Sequence, residues 1–172
     1  MSAFWILLPL IFIRFGLLRI LDKESLRRAA FFAPLIGKEK VAYIFYQLST
    51  SLIFIYLCFL KINTDQRWLY IGLLTYGLGI LLCFISTWDF AKPSEKGINL
   101  KGLYLISRNP IYIAYFIFFM GCVLLTQSLI LLGIVIAFQI SAHWIILSEE
   151  RWCIQKFGDE YINYMKNVRR YI

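Results

Sequence analysis

The chain has 172 residues, of which 60% are hydrophobic and only 16% are charged, and its mean hydropathy is +0.70. An ordinary soluble domain is about 45–50% apolar and about 25% charged, so this composition excludes a water-facing globule of this length. The four cysteines have no framework spacing, which excludes a secreted disulfide scaffold. What remains is a small polytopic membrane protein of the all-α class.

Five apolar runs are long enough, or nearly so, to cross about 30 Å of hydrocarbon. In chain order they cover residues 3–21, 41–60, 68–88, 111–125 and 128–147. Only a short tip separates the last two runs, so they are predicted to form a helical hairpin. The gaps leave no room for a soluble domain. Residues 1–172 are therefore predicted to form one domain, with three spans in residues 1–90 and the hairpin and tail in residues 91–172.

The net charge of +8 comes from lysines and arginines concentrated in alternate gaps. Segments 22–40 and 149–172 hold five each and segment 89–110 holds four, namely Lys92, Lys96, Lys101 and Arg108. Segment 61–67 holds two, and the hairpin tip holds none. By the positive-inside rule this alternation predicts five spans with the N-terminus outside and the C-terminus in the cytoplasm. We expect a bacterial inner membrane and no nucleic-acid partner.

Arg14 lies inside the first apolar run, where a charge is expensive unless it is paired or reaches the interface. It is about one and a half to two turns from the predicted cytoplasmic end. We therefore expect its side chain to extend to the interface and to have no functional role.

Two polar segments, residues 89–112 and 139–172, flank the hairpin on its predicted cytoplasmic side. Packed helices lie within about 10 Å of each other, so the segments are expected to meet. Arg108 directly precedes a helix start, and Glu149 and Glu150 end the last apolar run. An arginine fork beside free helix N–H groups suits a carboxylate or phosphate. No metal site is predicted, because His143 and the scattered cysteines lack ligand spacing.

The C-terminal segment is amphipathic, with aromatic residues three or four positions apart at Phe157, Tyr161 and Tyr164. Such a segment is typical of an interfacial helix on the membrane surface. The alternative is a cap folded over a polar pocket. Arg170, near the end of this tail, is expected to tolerate replacement by lysine.

Residues 100–172 carry a set of short motifs in a characteristic order. The motifs are Gly102 and Tyr104; Arg108, Asn109, Pro110 and Tyr112; Glu149 and Glu150; Phe157, Gly158, Tyr161 and Tyr164; and Arg169 and Arg170. As a set they resemble the isoprenylcysteine carboxyl methyltransferase and phospholipid methyltransferase family of integral membrane enzymes. Asn109 stands where the eukaryotic carboxyl methyltransferases have histidine, which leaves the substrate open.

The resemblance implies an S-adenosylmethionine-dependent methyltransferase whose lipophilic or lipid acceptor enters from the bilayer. It implies catalytic roles for Arg108 and Glu150. The implied cofactor-binding residues are Tyr104, Arg108, Asn109, Pro110, Tyr112, His143, Glu149, Glu150, Tyr161 and Tyr164. The acceptor stays open among a prenylcysteine carboxylate, a phospholipid amine and other lipophilic groups. An amine or thiol acceptor would need a base, for which Glu150 and His143 are the candidates.

Two other interpretations are weighed against methyl transfer. Membrane sterol and steroid reductases, which use NADPH, have a related C-terminal architecture, but their characteristic arginine and asparagine-tyrosine motif is not evident here. A non-enzymatic membrane scaffold gives no reason for paired glutamates and an arginine cluster on either side of one hairpin. His143 taken alone favours a packing role over a ligand or a base.

Overall fold

A computed structural model describes residues 2–94 and 97–172, apart from the side chain of Lys23. Over these ranges the chain is helical, with two isolated bridges and no strand. The helices are α1 (Ala3–Leu21), α2 (Lys23–Ala30), α3 (Lys38–Phe59), α4 (Gln66–Ala91), α5 (Pro110–Thr126), α6 (Leu129–Phe157) and α7 (Asp159–Asn167). The all-α prediction is confirmed. Lys96, which entered the charge count, lies outside the described residues.

Local sequence explains where several helices begin. The Asp22 carboxylate accepts hydrogen bonds from the backbone N–H groups of Glu24 and Ser25, at 3.0 and 2.9 Å, and so caps α2. Pro110 occupies the first position of α5, where no N–H donor is needed. Gln127 adopts a left-handed conformation (φ 51°) between α5 and α6, and the Ser128 hydroxyl caps α6.

Four helices, α1, α3, α4 and α6, are long and apolar enough to cross a membrane. The remaining predicted span corresponds to α5, which is apolar but has only 17 residues. Helix α6 continues well past the predicted end at Leu147, so Glu149 and Glu150 lie within a helix and not at its end. Part of α1, Phe12–Leu17, is a π-helical stretch that contains Arg14.

Helix α5 packs along α4, and α3 packs along α6. The shared core includes Phe118 and Cys122 of α5 and Val135 and Phe138 of α6. Arg151 of α6 donates a 2.7 Å hydrogen bond from its Nη2 to Oε2 of Glu39, which holds the start of α3 against α6. These contacts hold the N-terminal ends of α3 and α5 beside the C-terminal ends of α4 and α6, which is where the candidate site lies.

Candidate functional site

A cavity of about 470 Å³ opens at this end of the helical bundle. Its wall combines residues from α1 to α7 and from the connecting segments. The polar and aromatic members are Arg14, Arg27, Arg28, Phe31, Phe32, Tyr46, Thr87, Phe90, Asn99, Tyr104, Arg108, Asn109, Tyr112, Tyr115, Glu149, Trp152, Lys156, Phe157, Tyr161 and Tyr164. The volume lies within the range of about 300–1,000 Å³ that is usual for small-molecule sites.

Glu149 is the one carboxylate in this wall among the described residues. The Tyr112 hydroxyl donates a 2.8 Å hydrogen bond to its Oε1. Tyr112 is buried in the first turn of α5, so the bond joins that turn to the C-terminal half of α6. In the described part of the chain, no other hydrogen bond reaches this carboxylate.

Glu150 lies next to Glu149 but belongs to a buried ion-pair cluster outside the cavity wall. Its Oε1 lies 3.1 Å from Nη2 of Arg108, and its Oε2 accepts bonds of 3.0 and 2.8 Å from Arg170. The Asn109 amide also donates to Glu150, at 3.4 Å. Hydrogen bonding to Glu150 raises the pKa of the Arg170 guanidinium. Both carboxylate oxygens are therefore already engaged by the protein itself.

Arg170 is thus part of the site's support and not a peripheral residue. Its backbone oxygen accepts a 3.2 Å bond from Asn109, and the Arg169 oxygen accepts a 3.0 Å bond from the Arg108 N–H. This geometry argues against the expectation that lysine substitutes easily at Arg170, because Nε and Nη2 bond to Glu150 together and a lysine has no such fork.

The C-terminal segment covers the cavity through its tyrosines. Helix α7 places Tyr161 and Tyr164 in the wall, with ring centroids 5.7 Å apart. The Tyr164 hydroxyl donates a 2.6 Å bond to the backbone oxygen of Tyr104, which fixes α7 over the turn before α5. Burial raises the pKa of all three phenols, so they stay protonated and act only through neutral hydrogen bonds.

Seven of the ten predicted cofactor-binding residues lie in the cavity wall. The other three are Pro110, His143 and Glu150. Pro110 serves as the first residue of α5. His143 Nδ1 lies 2.7 Å from the Tyr171 hydroxyl, and the two rings stack at 6.1 Å. This placement away from the wall matches the packing role considered for His143 alone.

The cavity wall is strongly cationic. In the described ranges it holds Arg14, Arg27, Arg28, Arg108 and Lys156 against the single carboxylate of Glu149. It also holds most of the buried polar atoms that have no hydrogen-bond partner in the described structure. Those in wall residues are Nε of Arg28, Oγ1 of Thr87, Oδ1 of Asn99 and Nε of Arg108. Buried polar groups are normally paired, so this concentration points to a polar ligand.

Sequence reasoning missed the part of the wall that precedes residue 100. Arg27 and Arg28 were counted only as topology charges, and Tyr46 only as part of a span. Arg14 was expected to extend to the interface without a functional role, whereas the structure places it in the cavity wall with a bond to the Ala29 oxygen. An ionisable residue inside a span is a functional hypothesis by default, and that sign was available in the sequence. The contributions of Tyr46 and Thr87 depend on helix packing, and no local motif marks them.

A family model described as phospholipid methyltransferase matches residues 68–160, which is more than half of the chain. The chain belongs to the phospholipid methyltransferase family. The match begins in α4 and ends in α7, so it contains Glu149, Glu150 and the segment around Arg108. Searches of curated proteins and of solved structures gave no match.

Membership of the phospholipid methyltransferase family implies a membrane methyltransferase. The apolar spans agree with a lipid environment for this family member. The matched segment supplies most of the cavity wall, including Tyr104, Tyr112 and Glu149. Arg14, Arg27, Arg28 and Tyr46 lie before it, and Tyr161 and Tyr164 lie just beyond it.

Proposed function

We propose that the protein transfers a methyl group from S-adenosylmethionine to a lipophilic acceptor that enters from the bilayer. The observation that carries this proposal is the cavity wall, where Glu149 lies among five cations and four unpaired buried polar atoms. The family membership supports methyl transfer over an NADPH-dependent reductase or a scaffold. Because the cations concentrate at this end of the bundle, the site faces the cytoplasm in the proposed topology.

The residues present fit the charges of S-adenosylmethionine. The Glu149 carboxylate would hold its ammonium group, and Arg27, Arg28 or Arg108 would hold its carboxylate. The unpaired Asn99 oxygen would accept a hydrogen bond from a ribose hydroxyl or the adenine amino group. Trp152, whose ring lies 5.2 Å from that of Phe31 and 6.2 Å from that of Phe157, offers an aromatic surface for the adenine.

When bound, S-adenosylmethionine supplies an electrophilic methyl group on a sulfonium centre. The protein's task is to hold donor and acceptor in line and to exclude water. Tyr104, Tyr161 and Tyr164 perform the exclusion, because they close the cavity from the side of the tail. Arg108 is held in place by Glu150, which acts as a positioning residue.

An amine or thiol acceptor must also lose a proton. Glu149 can take it at Oε2, while Tyr112 holds Oε1, only where Glu149 does not also hold the cofactor's ammonium, so these two roles of Glu149 exclude each other. Glu150 is unsuited because both of its oxygens are engaged by Arg108 and Arg170. His143 is unsuited because it lies outside the wall and bonds to Tyr171. A carboxylate acceptor would need no base at all.

Glu149→Gln tests the proposed site, because it removes the charge and keeps the shape. Losing a charge-assisted hydrogen bond of about 1.5–3 kcal/mol should weaken S-adenosylhomocysteine binding roughly 10- to 150-fold. Calorimetry in detergent measures this affinity, and transfer of tritiated methyl groups to extracted membrane lipids measures turnover. Glu24→Gln is the matched control, since Glu24 is exposed on α2 and lies outside the cavity wall.

Glu24→Gln should bind S-adenosylhomocysteine as tightly as the wild type. If the wild-type protein binds NADPH and shows no affinity for S-adenosylhomocysteine, the proposed reaction is wrong. If it binds S-adenosylhomocysteine and Glu149→Gln binds it equally well, the reaction stands but the ammonium site has been misplaced.

A further inference from the structure

A second cavity, of about 330 Å³, adjoins the first one. It lies between α1, α2, α3, α5 and α6. The two cavities share the wall residues Arg14, Ala29, Phe32, Tyr46 and Tyr115. Because the same side chains bound both spaces, the two cavities are immediate neighbours, and Arg14 can be reached from either one.

The second cavity is lined mainly by apolar side chains. Six of them are Leu10, Ile11, Phe15, Phe54, Phe119 and Phe138. Phe15 is 59% exposed on the outer surface of α1, in a helix that is apolar enough to span a membrane. The cavity therefore opens towards hydrocarbon, and its lining favours an alkyl or prenyl chain.

Arg14 lies at the junction of the two cavities and forms no ion pair with a described residue. Its Nη2 donates a 2.7 Å hydrogen bond to the backbone oxygen of Ala29. Among the described residues, no carboxylate lies within ion-pair distance of this guanidinium. A backbone carbonyl accepts one bond but carries no net charge. Glu149, in the same wall, attracts this cation only from beyond ion-pair distance, so the guanidinium keeps free donors for an anionic ligand.

The backbone around Arg14 is unusual as well. Phe12–Leu17 forms a π-helical stretch inside α1. Such stretches are rare and frequently occur at functional sites. Here the stretch contains the only described cation that lines both cavities, since Arg27, Arg28, Arg108 and Lys156 line the first one alone.

We infer that Arg14 binds an anionic group on the methyl acceptor, while the acceptor's apolar chain occupies the second cavity. This inference rests on the proposed function. The acceptor is thereby an amphiphile with a phosphate or carboxylate close to its apolar chain. The remaining arginines of the first cavity are left for the cofactor's carboxylate, so each anion has its own cationic partner.

The test measures binding of tritiated dodecyl phosphate in dodecylmaltoside by scintillation proximity, with unlabelled dodecanoate and dodecanol as competitors. The phosphate and carboxylate probes distinguish a phospholipid-type anion from a carboxylate. Arg14→Met removes the charge with an apolar side chain suited to a span. Arg19→Met is the matched control, because Arg19 is exposed on the same helix and lines neither cavity.

Arg14→Met should bind the preferred anionic probe roughly 10- to 150-fold more weakly, the equivalent of one charge-assisted hydrogen bond. Dodecanol should compete weakly and equally in all variants. Arg19→Met should match the wild type. Calorimetry with S-adenosylhomocysteine should give one affinity for the wild type and for both variants.

Equal binding of dodecyl phosphate and dodecanoate by Arg14→Met and the wild type would overturn the inference. So would a loss of S-adenosylhomocysteine affinity in Arg14→Met, because Arg14 would then serve the cofactor. If the wild type fails to bind S-adenosylhomocysteine, the proposed function fails, while the amphiphile measurement still tests Arg14 separately. Arg14→Gln, which keeps a donor for the Ala29 carbonyl, replaces Arg14→Met if that variant does not fold.

Discussion

At the scale of single residues, the two adjacent glutamates have different surroundings. Successive helix positions point about 100° apart, so Glu149 reaches the cavity and Glu150 reaches the arginine cluster behind it. Sequence alone predicted that Arg108 and this pair would come together, and the ion pair between Arg108 and Glu150 shows that they do. The sequence could not predict which glutamate faces the cavity and which faces Arg108, because their surroundings depend on how α6 is rotated against α5.

The two glutamates should therefore respond differently to the same substitution. Glu150→Gln leaves Arg108, whose side chain is only 8% exposed, without its buried partner. Breaking such a pair should lower the free energy of unfolding by about 3–5 kcal/mol. Glu149→Gln should change it far less, because Glu149 has no ion pair in the described structure. Denaturation with sodium dodecyl sulfate, followed by circular dichroism, measures both, and equal losses would contradict the distinction.

At the scale of helices, the contact between α4 and α5 depends on two glycines. A Cβ atom at Gly79 would meet the backbone of Phe118, and one at Gly121 would meet the backbone of Tyr76. Close approach through small residues is the usual way in which membrane helices gain packing contacts. Gly77 lies two positions before Gly79 on the same helix, but nothing lies within 4 Å of a Cβ at Gly77. The helix period shows which residues of α4 share a face. Which of these faces contacts α5 closely depends on the packing of the two helices.

Gly79→Ala should be destabilising, whereas Gly77→Ala should be nearly neutral. The added methyl at position 79 forces α4 and α5 apart, and overpacking of this kind costs about 1–3 kcal/mol. At position 77 the methyl enters open space on the outer surface of α4. Thermal unfolding of both variants in one detergent gives the comparison. A midpoint for Gly79→Ala at or above that of Gly77→Ala would show that the contact is looser than described.

At the scale of the whole molecule, the short helix α5 is accommodated by burial. Its 17 residues rise about 25 Å, less than the hydrocarbon thickness of about 30 Å. Ten of them are buried against the other helices, so α5 lies mainly in protein and depends less on lipid contact. Hydropathy predicts where each apolar helix lies in the sequence. It could not predict the second cavity or the junction at Arg14, because those arise from how α1 and α3 pack around α5 and α6.

The proposed orientation of the whole molecule is open to a direct check. Reporter fusions after Asp65 and after Gln127 should be external, and a fusion at the C-terminus should be cytoplasmic. The reason is the alternation of lysine and arginine between successive gaps. A fusion before Ala3 serves as the internal control and should also be external. A cytoplasmic signal at Gln127 would mean that α5 does not cross the bilayer.

The cavity wall runs from Arg14 to Tyr164, which has a consequence for how the protein matures. Helix α1, which carries Arg14, is synthesised and inserted before the C-terminal helix that completes the same cavity wall. A partly inserted chain therefore has no complete site, and ligand affinity reports on completed assembly. Conversely, ligand binding stabilises the assembled form of the protein. A ligand at 100 times its dissociation constant favours the assembled form by about 2.7 kcal/mol, so under the proposed function a supply of cofactor favours complete assembly of the protein.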